Sequence, residues 1–469
     1  MTRWDLIVIG AGPAGMAAAT LAAGHGMSVL VLDEQPAAGG QIYRNLSGST
    51  AAQQEILGPD YTSGRPILAA LDAAPLTLIS GAVVWDVADD CTVTYSAGGV
   101  AQRAHAGHLL LATGAIERPV PLPGWTLPGV MTAGAAQILM KSSGLVCKDA
   151  VLAGSGPLLY LVAVQMLRAS TPPKAVVETQ TPTHYRAALR HASGALRGWR
   201  ALAKGAKMMR DLRHAGVTRY TGASDLVITG DTAASGLRFT AGGQTHHLQC
   251  QTVLLHQGVV PNTQITRALR LDHSWHDGQR CFHPDVSDWG ETSHSQIFVA
   301  GDGAAIGGAK AAENSGTLAA AEILRAADRI TTGTRNNLAR PAQKSLAGER
   351  ALRPFLDALY APPTAILYPA DAVTVCRCEE VSAGDIRNYA SLGCTGPSQT
   401  KAFGRVGMGP CQGRTCGLIV TELLAQATRQ SQQSTGYFRI RAPLKPVTLG
   451  EVAALDKRST THQSKGQDI

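Results

Sequence analysis

One short stretch constrains this chain more than any other: VIGAGPAGMAAA, residues 8–19. The apolar, β-branched run Asp5–Ile9 leads into it. Gly10, Gly12 and Gly15 are spaced G-x-G-x-x-G, an alanine-rich segment continues to about Ala23, and a second strand-like run, Val29–Leu32, ends at Asp33. Strand, glycine turn, helix, strand and terminal acid follow in the order a βαβ dinucleotide site needs. Gly10 permits the tight turn, Gly12 lets the backbone approach a pyrophosphate, and Gly15 allows close helix–strand packing. The helix N-terminus offers its free N–H groups to the phosphates. Asp33 is placed to accept hydrogen bonds from a ribose. Glu34 stands beside it, but strand counting favours Asp33.

Two further segments extend this reading. His108–Gly114, HLLLATG, is an apolar strand ending in a tight turn at Thr113 and Gly114. Gln296–Asp302, QIFVAGD, ends at Gly301 and Asp302 before a new helix. Here the sequence resembles the two-dinucleotide-binding-domain flavoproteins of the glutathione- and thioredoxin-reductase type. The resemblance implies FAD in the first site, with Asp302 on its ribitol chain. The segment GGQIYR follows the ribose acid and, in that superfamily, runs beside the flavin. Gly40, Gln41 and Tyr43 are therefore candidates for the flavin environment, and a plain glycine turn is the alternative.

A second strand enters a second G-x-G at Val151–Gly156, VLAGSG. Its third position is Leu159, which puts bulk where helix and strand should pack most closely. Glu178 ends the next apolar run, where an NAD-type acid would fall, and Leu254–Asn262, LLHQGVVPN, resembles the return to the first domain. The expectation is a degenerate nucleotide fold kept as scaffold, without NAD(P). Glu178 and the intact Gly154-x-Gly156 keep a nicotinamide site open as the other reading.

At 469 residues the chain is too long for one simple core, so two or three domains are expected. Aromatics at 5% leave little for stacking bases, and nucleic acid is not an expected partner. Part of the net charge of +8 lies in a run with helical spacing, Arg186, Arg190, Arg197, Arg200, Lys204, Lys207, Arg210 and Arg213. Leu189, Leu196, Trp199 and Leu212 could form the apolar face of that same helix. A solvated helix face is the favoured reading, and a docking surface for an acidic partner the sharper one. No secretory signal or transmembrane segment is visible, and nine cysteines without a leader point to a reducing, cytoplasmic setting. Cys91, Cys147, Cys250 and Cys281 are widely separated and form no redox pair; no nucleophile elbow, zincin motif or paired carboxylates mark a catalytic residue.

Four other cysteines do cluster. Cys376 and Cys378 form C-x-C, and Cys411 and Cys416 form C-x4-C. Between them Ser382 to Asp385 opens a helix as a capping box and Gly393 can close it; Gly417 leads into another helix, Leu418–Gln426. Disulfides, structural zinc and a [2Fe–2S] cluster compete for these thiols. C-x-C is tighter than the usual zinc spacing. Four thiolates also suit a [2Fe–2S] cluster, whose net negative charge glycine N–H groups and Lys401, Arg405 and Arg414 would balance. CRCEE…GMGPCQGRTCG resembles the [2Fe–2S] domain related to bacterioferritin-associated ferredoxin, which does not use Cys394 as a ligand.

The expected architecture is α/β, with two Rossmann-like dinucleotide-binding domains of glutathione-reductase type and a small helical C-terminal [2Fe–2S] domain. Residues 1–115 and 255–330 form the FAD domain, 116–254 the second, degenerate domain, and 371–430 the cluster domain. Prolines 341, 354, 362, 363 and 369 make 331–370 a connector that wraps against the flavin domain. Residues 431–469 form a tail, irregular after about Arg439 and disordered from Lys457.

Over nearly its whole length the chain resembles the FAD- and iron–sulfur-containing α subunits of bacterial opine oxidases, and equally those of D-hydroxyproline and proline dehydrogenases and hydrogen cyanide synthase. GAGPAG, GGQIYR, ATGAIERP…PG, GSGPLL, VAGDGAAIGGAKAAENSG and CRCEE…CQGRTC carry the resemblance. It implies a D-amino-acid-oxidase-like flavoprotein β subunit that oxidises the amine, a small ferredoxin-like γ subunit in some complexes, and a quinone-like or dye acceptor. It also allows contact with the inner membrane through the complex. The chain itself would relay electrons. The alternatives are a self-contained NAD(P)H-dependent reductase and a non-catalytic assembly or iron-handling protein.

Overall fold

The computed structural model describes residues 2–460, with side chains from 3 to 455. Its first sheet has seven strands with Thr2–Ile9 near the centre, parallel to Val29–Asp33 on one side and Val100–Leu111 on the other. Leu6, Ile7 and Val8 are fully buried, as a central parallel strand covered on both faces requires. Ile9 pairs with both Leu32 and Leu111, and Val299 of Ile297–Val299 pairs with Leu111 as well. The strand ends are therefore level. The turns at Gly10, Asp33, Ala112 and Gly301 open on one edge, where ligands of such sheets bind.

Helix Pro13–Gly24 begins with proline in its first turn, where no intrahelical N–H bond is lost. Its small residues admit helix Ala309–Ala326 at very short range: a Cβ on Gly316 would run into the carbonyl of Ala14. A second sheet, five strands and all parallel, runs in the order Thr218–Tyr220, Ala175–Glu178, Ala150–Ser155, Thr252–Gln257, Val130–Thr132. A three-stranded antiparallel sheet, Ser224–Thr229, Gly236–Ala241 and Gln244–Gln249, packs Ile228, Leu237 and Phe239 against Val151, Ala153 and Val253. Ala115–Glu117 pairs antiparallel with Val259–Pro261 where the chain crosses between the two sheets.

One expectation is corrected, and two segments are more ordered or more tightly packed than the sequence suggests. The basic run is not one helix but three, Pro182–Leu189, Ala192–Arg197 and Trp199–His214. Only Leu212 of its supposed apolar face is buried, because Gly198 separates two of the helices and Gly194 and Gly198 turn their own bare faces inward. The proline-rich connector is largely a 28-residue helix, Thr332–Leu359, with Pro341 and Pro354 inside it. Proline costs an internal hydrogen bond. Here burial of Ala339, Ala342 and Leu346 against Leu318 of the preceding helix offsets that loss, and the Thr331 side chain caps the start. Within 431–445 a short helix, Gln432–Thr435, is followed by chain that is irregular, as expected, yet packed. Phe438, Ile440 and Leu444 are buried, with Arg439 and Arg441 exposed between and beside them, a strand-like alternation. A last helix runs Leu449–Thr460. Disorder beyond Thr460 lies outside the described residues.

The C-terminal unit is not tethered at a distance. Val375, Ile419, Leu423, Phe438 and Leu444 share one continuous core with Ile7, Ile9, Leu30 and Leu109 of the first sheet. Its helix Ala383–Ser391 opens with the Ser382–Asp385 capping box, and Gly417–Thr428 follows the last cysteine.

Gly316→Ala should destabilise the chain by about 1–3 kcal/mol, the usual cost of overpacking. Gly348→Ala, in the helix Thr332–Leu359 with open space around it, should stabilise by about 0.5–1 kcal/mol. Urea unfolding midpoints of the two variants check both signs.

Candidate functional site

A pocket of about 670 Å3 lies at the level strand ends. Of the residues singled out from sequence, Gly10, Gly12, Asp33, Glu34, Gly40, Gln41, Thr113, Gly114, Gly301 and Asp302 line it. Gly15 lies beneath: a Cβ there would strike the Gly10 carbonyl, so it sets the turn rather than the wall. A Cβ on Gly40 would come 2.8 Å from the Gly12 Cα, so the GGQIYR loop and the first turn face each other with bare backbone.

Asp33 is buried and its carboxylate is turned onto backbone. Oδ2 accepts the Ala11 N–H at 2.5 Å and Oδ1 the Gln35 N–H at 2.7 Å. Burial raises its pKa against those two hydrogen bonds. Glu34 is the more exposed acid and pairs with Lys445. Asp302 Oδ1 accepts the N–H groups of Gly307 and Gly308 at 2.8 and 2.9 Å, which shapes the loop before helix Ala309–Ala326. Tyr43 departs from expectation. It is not on the wall; its ring is buried over Gly64, where any Cβ would collide with it. Its neighbours Gln41, Ile42 and Arg44 line the pocket instead, with Arg44 donating to Gln35 Oε1 (2.6 Å) and Gln41 Oε1 (3.0 Å).

Some wall residues were not anticipated. Asn262 Oδ1 and Gln264 Oε1 are buried with no hydrogen-bond partner, acceptors that a bound dinucleotide's donors would satisfy. With the glycine cradle and the room available, these residues fit FAD. Arg414 and Lys445 reach the wall from the far end of the chain. The Arg414 guanidinium donates from Nη1 to the Cys411 carbonyl (3.1 Å) and from Nη2 to the Leu444 carbonyl (3.0 Å). One side chain thus spans the cysteine loop, the C-terminal segment and the pocket. Burial lowers its pKa, opposed by the nearby Cys411 and Glu34 charges.

The fold gathers the four clustered cysteines. Cys376 and Cys416 are buried, Cys411 is half-buried and Cys378 is exposed. They stand as two couples, Cys376 with Cys416 and Cys378 with Cys411, all within electrostatic reach of one another. The Cys416 thiol donates to Cys376 and holds its pKa down to about 6, helped by N–H groups of Gly407, Glu379 and Cys378; Cys416 is pushed up by the same bond and by burial. Among the described residues no three His, Cys, Asp or Glu side chains form a group that could hold a metal ion as they stand. Four thiols gathered in two couples fit a group that takes four thiolate ligands, as a [2Fe–2S] cluster does. A Cβ on Gly407 or Gly413 would lie 2.7 or 2.6 Å from the Phe438 ring, so these glycines admit that ring beside the cysteine loops. Cys394 is separate, its Sγ directed to the Gly396 carbonyl. Burial pushes the Cys91 and Cys250 thiols up to about 11 and Cys281 up to about 12, which keeps them protonated.

The second G-x-G is closed by its own side chains. Glu178 is fully buried, and its carboxylate accepts Arg219 Nε at 2.8 Å and Nη2 at 3.0 Å. The His256 ring lies over Gly156, with Nε2 2.8 Å from where a Cβ would stand, and His256 Nδ1 meets Glu117 Oε1 at 2.5 Å. Leu159 is completely buried in the helix–sheet core.

Fold and pocket together define a two-dinucleotide-binding-domain flavoprotein. Residues 4–319 match the family described as pyridine nucleotide-disulphide oxidoreductase, and 373–456 the sarcosine oxidase A3 domain. The A subunit of opine oxidase from Rhizobium meliloti (strain 1021) is 44% identical over 460 residues, 97% of this chain and 99% of that one. Hydrogen cyanide synthase subunit HcnB of Pseudomonas protegens is 28% identical over 471 residues, covering 97% and 99%. The crystal structure of L-proline dehydrogenase from P. horikoshii superposes with a TM-score of 0.69 at 17% identity, over 96% of this chain and 79% of that one, a likeness of fold. The chain belongs to the family of opine oxidase A subunits and is an oxidoreductase.

Behind the pocket, Lys141 is buried without a carboxylate. Its Nζ donates to the Gln41 carbonyl and to Gln137 Oε1, both at 2.9 Å, and burial lowers its pKa to about 7. The unfolded chain binds the extra proton between about pH 7 and about 10.5, so the folded state gains stability as pH rises through that window. Relative to Lys141→Met, the wild type should gain up to about 5 kcal/mol from pH 7 to 10.5 and nothing further below pH 7. Urea unfolding across that range measures it.

Proposed function

We propose that this chain is the FAD- and [2Fe–2S]-carrying, electron-transferring subunit of a heteromeric amino-acid oxidase or dehydrogenase of opine, D-hydroxyproline or proline type. The observation that carries this reading is Arg414, which joins the four-cysteine loop to the wall of the flavin pocket. Residues 1–115 and 255–330 carry the glycine turns of the FAD site, 116–254 act as a scaffold that lends Glu117, Gly134 and Gln137 to its wall, and 371–430 hold the cluster. FAD accepts an electron pair, and a [2Fe–2S] cluster passes electrons singly.

The chain's own residues bind, orient and shield. The turn from Gly10 to Gly15 receives the pyrophosphate, Glu34 or Asp33 the ribose, and Asp302 the ribitol side. Cys376, Cys378, Cys411 and Cys416 would hold the cluster; Cys376 and Cys416 are buried and Cys378 is exposed, so an acceptor can approach from the Cys378 side. The relatives are named as subunits of larger oxidases and synthases, which supports partner chains here. The partner we assign is a D-amino-acid-oxidase-like flavoprotein that oxidises the amine, with a small ferredoxin-like chain in some assemblies, a quinone-like acceptor and a cytoplasmic setting. Closure of the second fold by Glu178–Arg219 and His256 supports electrons arriving from such a partner rather than from NAD(P)H.

Anaerobic titration of the purified chain decides between these two electron sources. NADH and NADPH should leave the flavin absorbance unchanged, while dithionite reduces both centres; rapid bleaching by either nicotinamide would make the chain a self-contained reductase. Arg414→Gln removes a charged side chain from the wall. It should weaken FAD retention on the order of tenfold while leaving iron and sulfide content in place, read by flavin release and metal analysis.

A further inference from the structure

The three helices that replace the expected basic helix carry their side chains inside out. Tyr185, Leu189, Leu196 and Trp199 are 48%, 67%, 73% and 59% exposed, while Ala188 and Ala195 are buried. The cause is packing on helix Thr332–Leu359. A Cβ on Gly194 would strike the Ala351 carbonyl, and one on Gly198 would lie 2.8 Å from the Leu352 side chain. Small residues face inward because that helix lies so close, and the large apolar ones are left outside. Exposed clusters of this kind mark contact surfaces.

The charge pattern identifies the contact. Each of the four exposed side chains is followed directly by an exposed arginine: Tyr185-Arg186, Leu189-Arg190, Leu196-Arg197 and Trp199-Arg200. From 179 to 224 the chain has nine Lys and Arg and a single acid, Asp211. Lys204 pairs with Asp60 and Lys207 with Asp211. Arg186, Arg190, Arg197, Arg200, Arg210 and Arg213 make no ion pair among the described residues. Helices that lie in a membrane interface combine Lys and Arg with Trp, Phe and Leu. Here each large exposed apolar side chain stands directly beside an arginine.

We propose that this face docks on an anionic lipid surface. The arginines meet headgroup phosphates, while Leu189, Leu196, Trp199 and Tyr185 enter the boundary between headgroups and acyl chains, the division of labour of interfacial helices. The contact is peripheral, since no described helix is long and apolar enough to cross a membrane. It requires neither cofactor nor partner subunit and stands whether or not the proposed electron path is right.

Vesicle flotation of the purified full-length chain tests it. Vesicles of phosphatidylcholine with phosphatidylglycerol should carry the chain at low salt and release it at high salt, while phosphatidylcholine alone should not carry it. Leu196→Gln/Trp199→Gln, which keeps every charge, and Arg197→Gln/Arg200→Gln should each weaken binding by about tenfold or more. All four positions are exposed, so flavin absorbance and unfolding midpoint should not move. Failure to float with the anionic vesicles at low salt overturns the proposal, as does wild-type binding by both variants. Loss of co-purification with a partner subunit in these variants, without vesicle binding by the wild type, would make the face a protein interface instead.

Discussion

The flavin pocket depends on contacts between backbones from which side chains are absent. Gly15 sits against the Gly10 carbonyl, Gly10 against the carbonyl of Ala112, and Gly316 against that of Ala14. These contacts bring the first turn, the end of strand Val100–Leu111 and helix Ala309–Ala326 to one point. The cradle is set by main chain, whose position rotamer changes do not alter, and that is why a large cofactor can be met by N–H groups. The same economy recurs where Gly194 and Gly198 bring a helix down on Thr332–Leu359, and where Gly407 and Gly413 admit Phe438 beside the cysteines.

The two candidate redox sites rest on one core. The back of the first sheet, through Ile7, Ile9 and Leu109, and the cysteine unit, through Val375, Ile419 and Leu423, bury the same apolar surface. Such packing fixes relative position far better than a linker would. Electrostatics follows the same connection, because Arg414 is near both Cys411 and Glu34.

Local signals were legible in the sequence where neighbouring residues determine structure. The βαβ turn, the strands ending at Asp33 and Glu178 and the Ser382 capping box all stand where spacing puts them. The failures have a common cause in long-range packing. Pro341 and Pro354 signal a break, but burial against the preceding helix, Ala309–Ala326, overrides them. Basic spacing suggested one helix, and only the approach of Thr332–Leu359 explains why it is three and why Trp199 faces outward. Tyr43 lies in a loop correctly placed beside the pocket, yet its ring is claimed by Gly64. For Lys445 no local pattern exists. The alternation Phe438-Arg439-Ile440-Arg441 was a readable sign that the supposed tail is packed.

The wall of the flavin pocket begins at Ile9 and ends at Lys445. During synthesis the first sheet cannot close that wall: Arg414, Leu444 and Lys445 are still unmade or inside the ribosome when residues 1–330 have emerged. A nascent chain therefore presents an open cleft for much of its production. Completion of the flavin site becomes a late event, one that waits on the ordering of the cysteine loop around it.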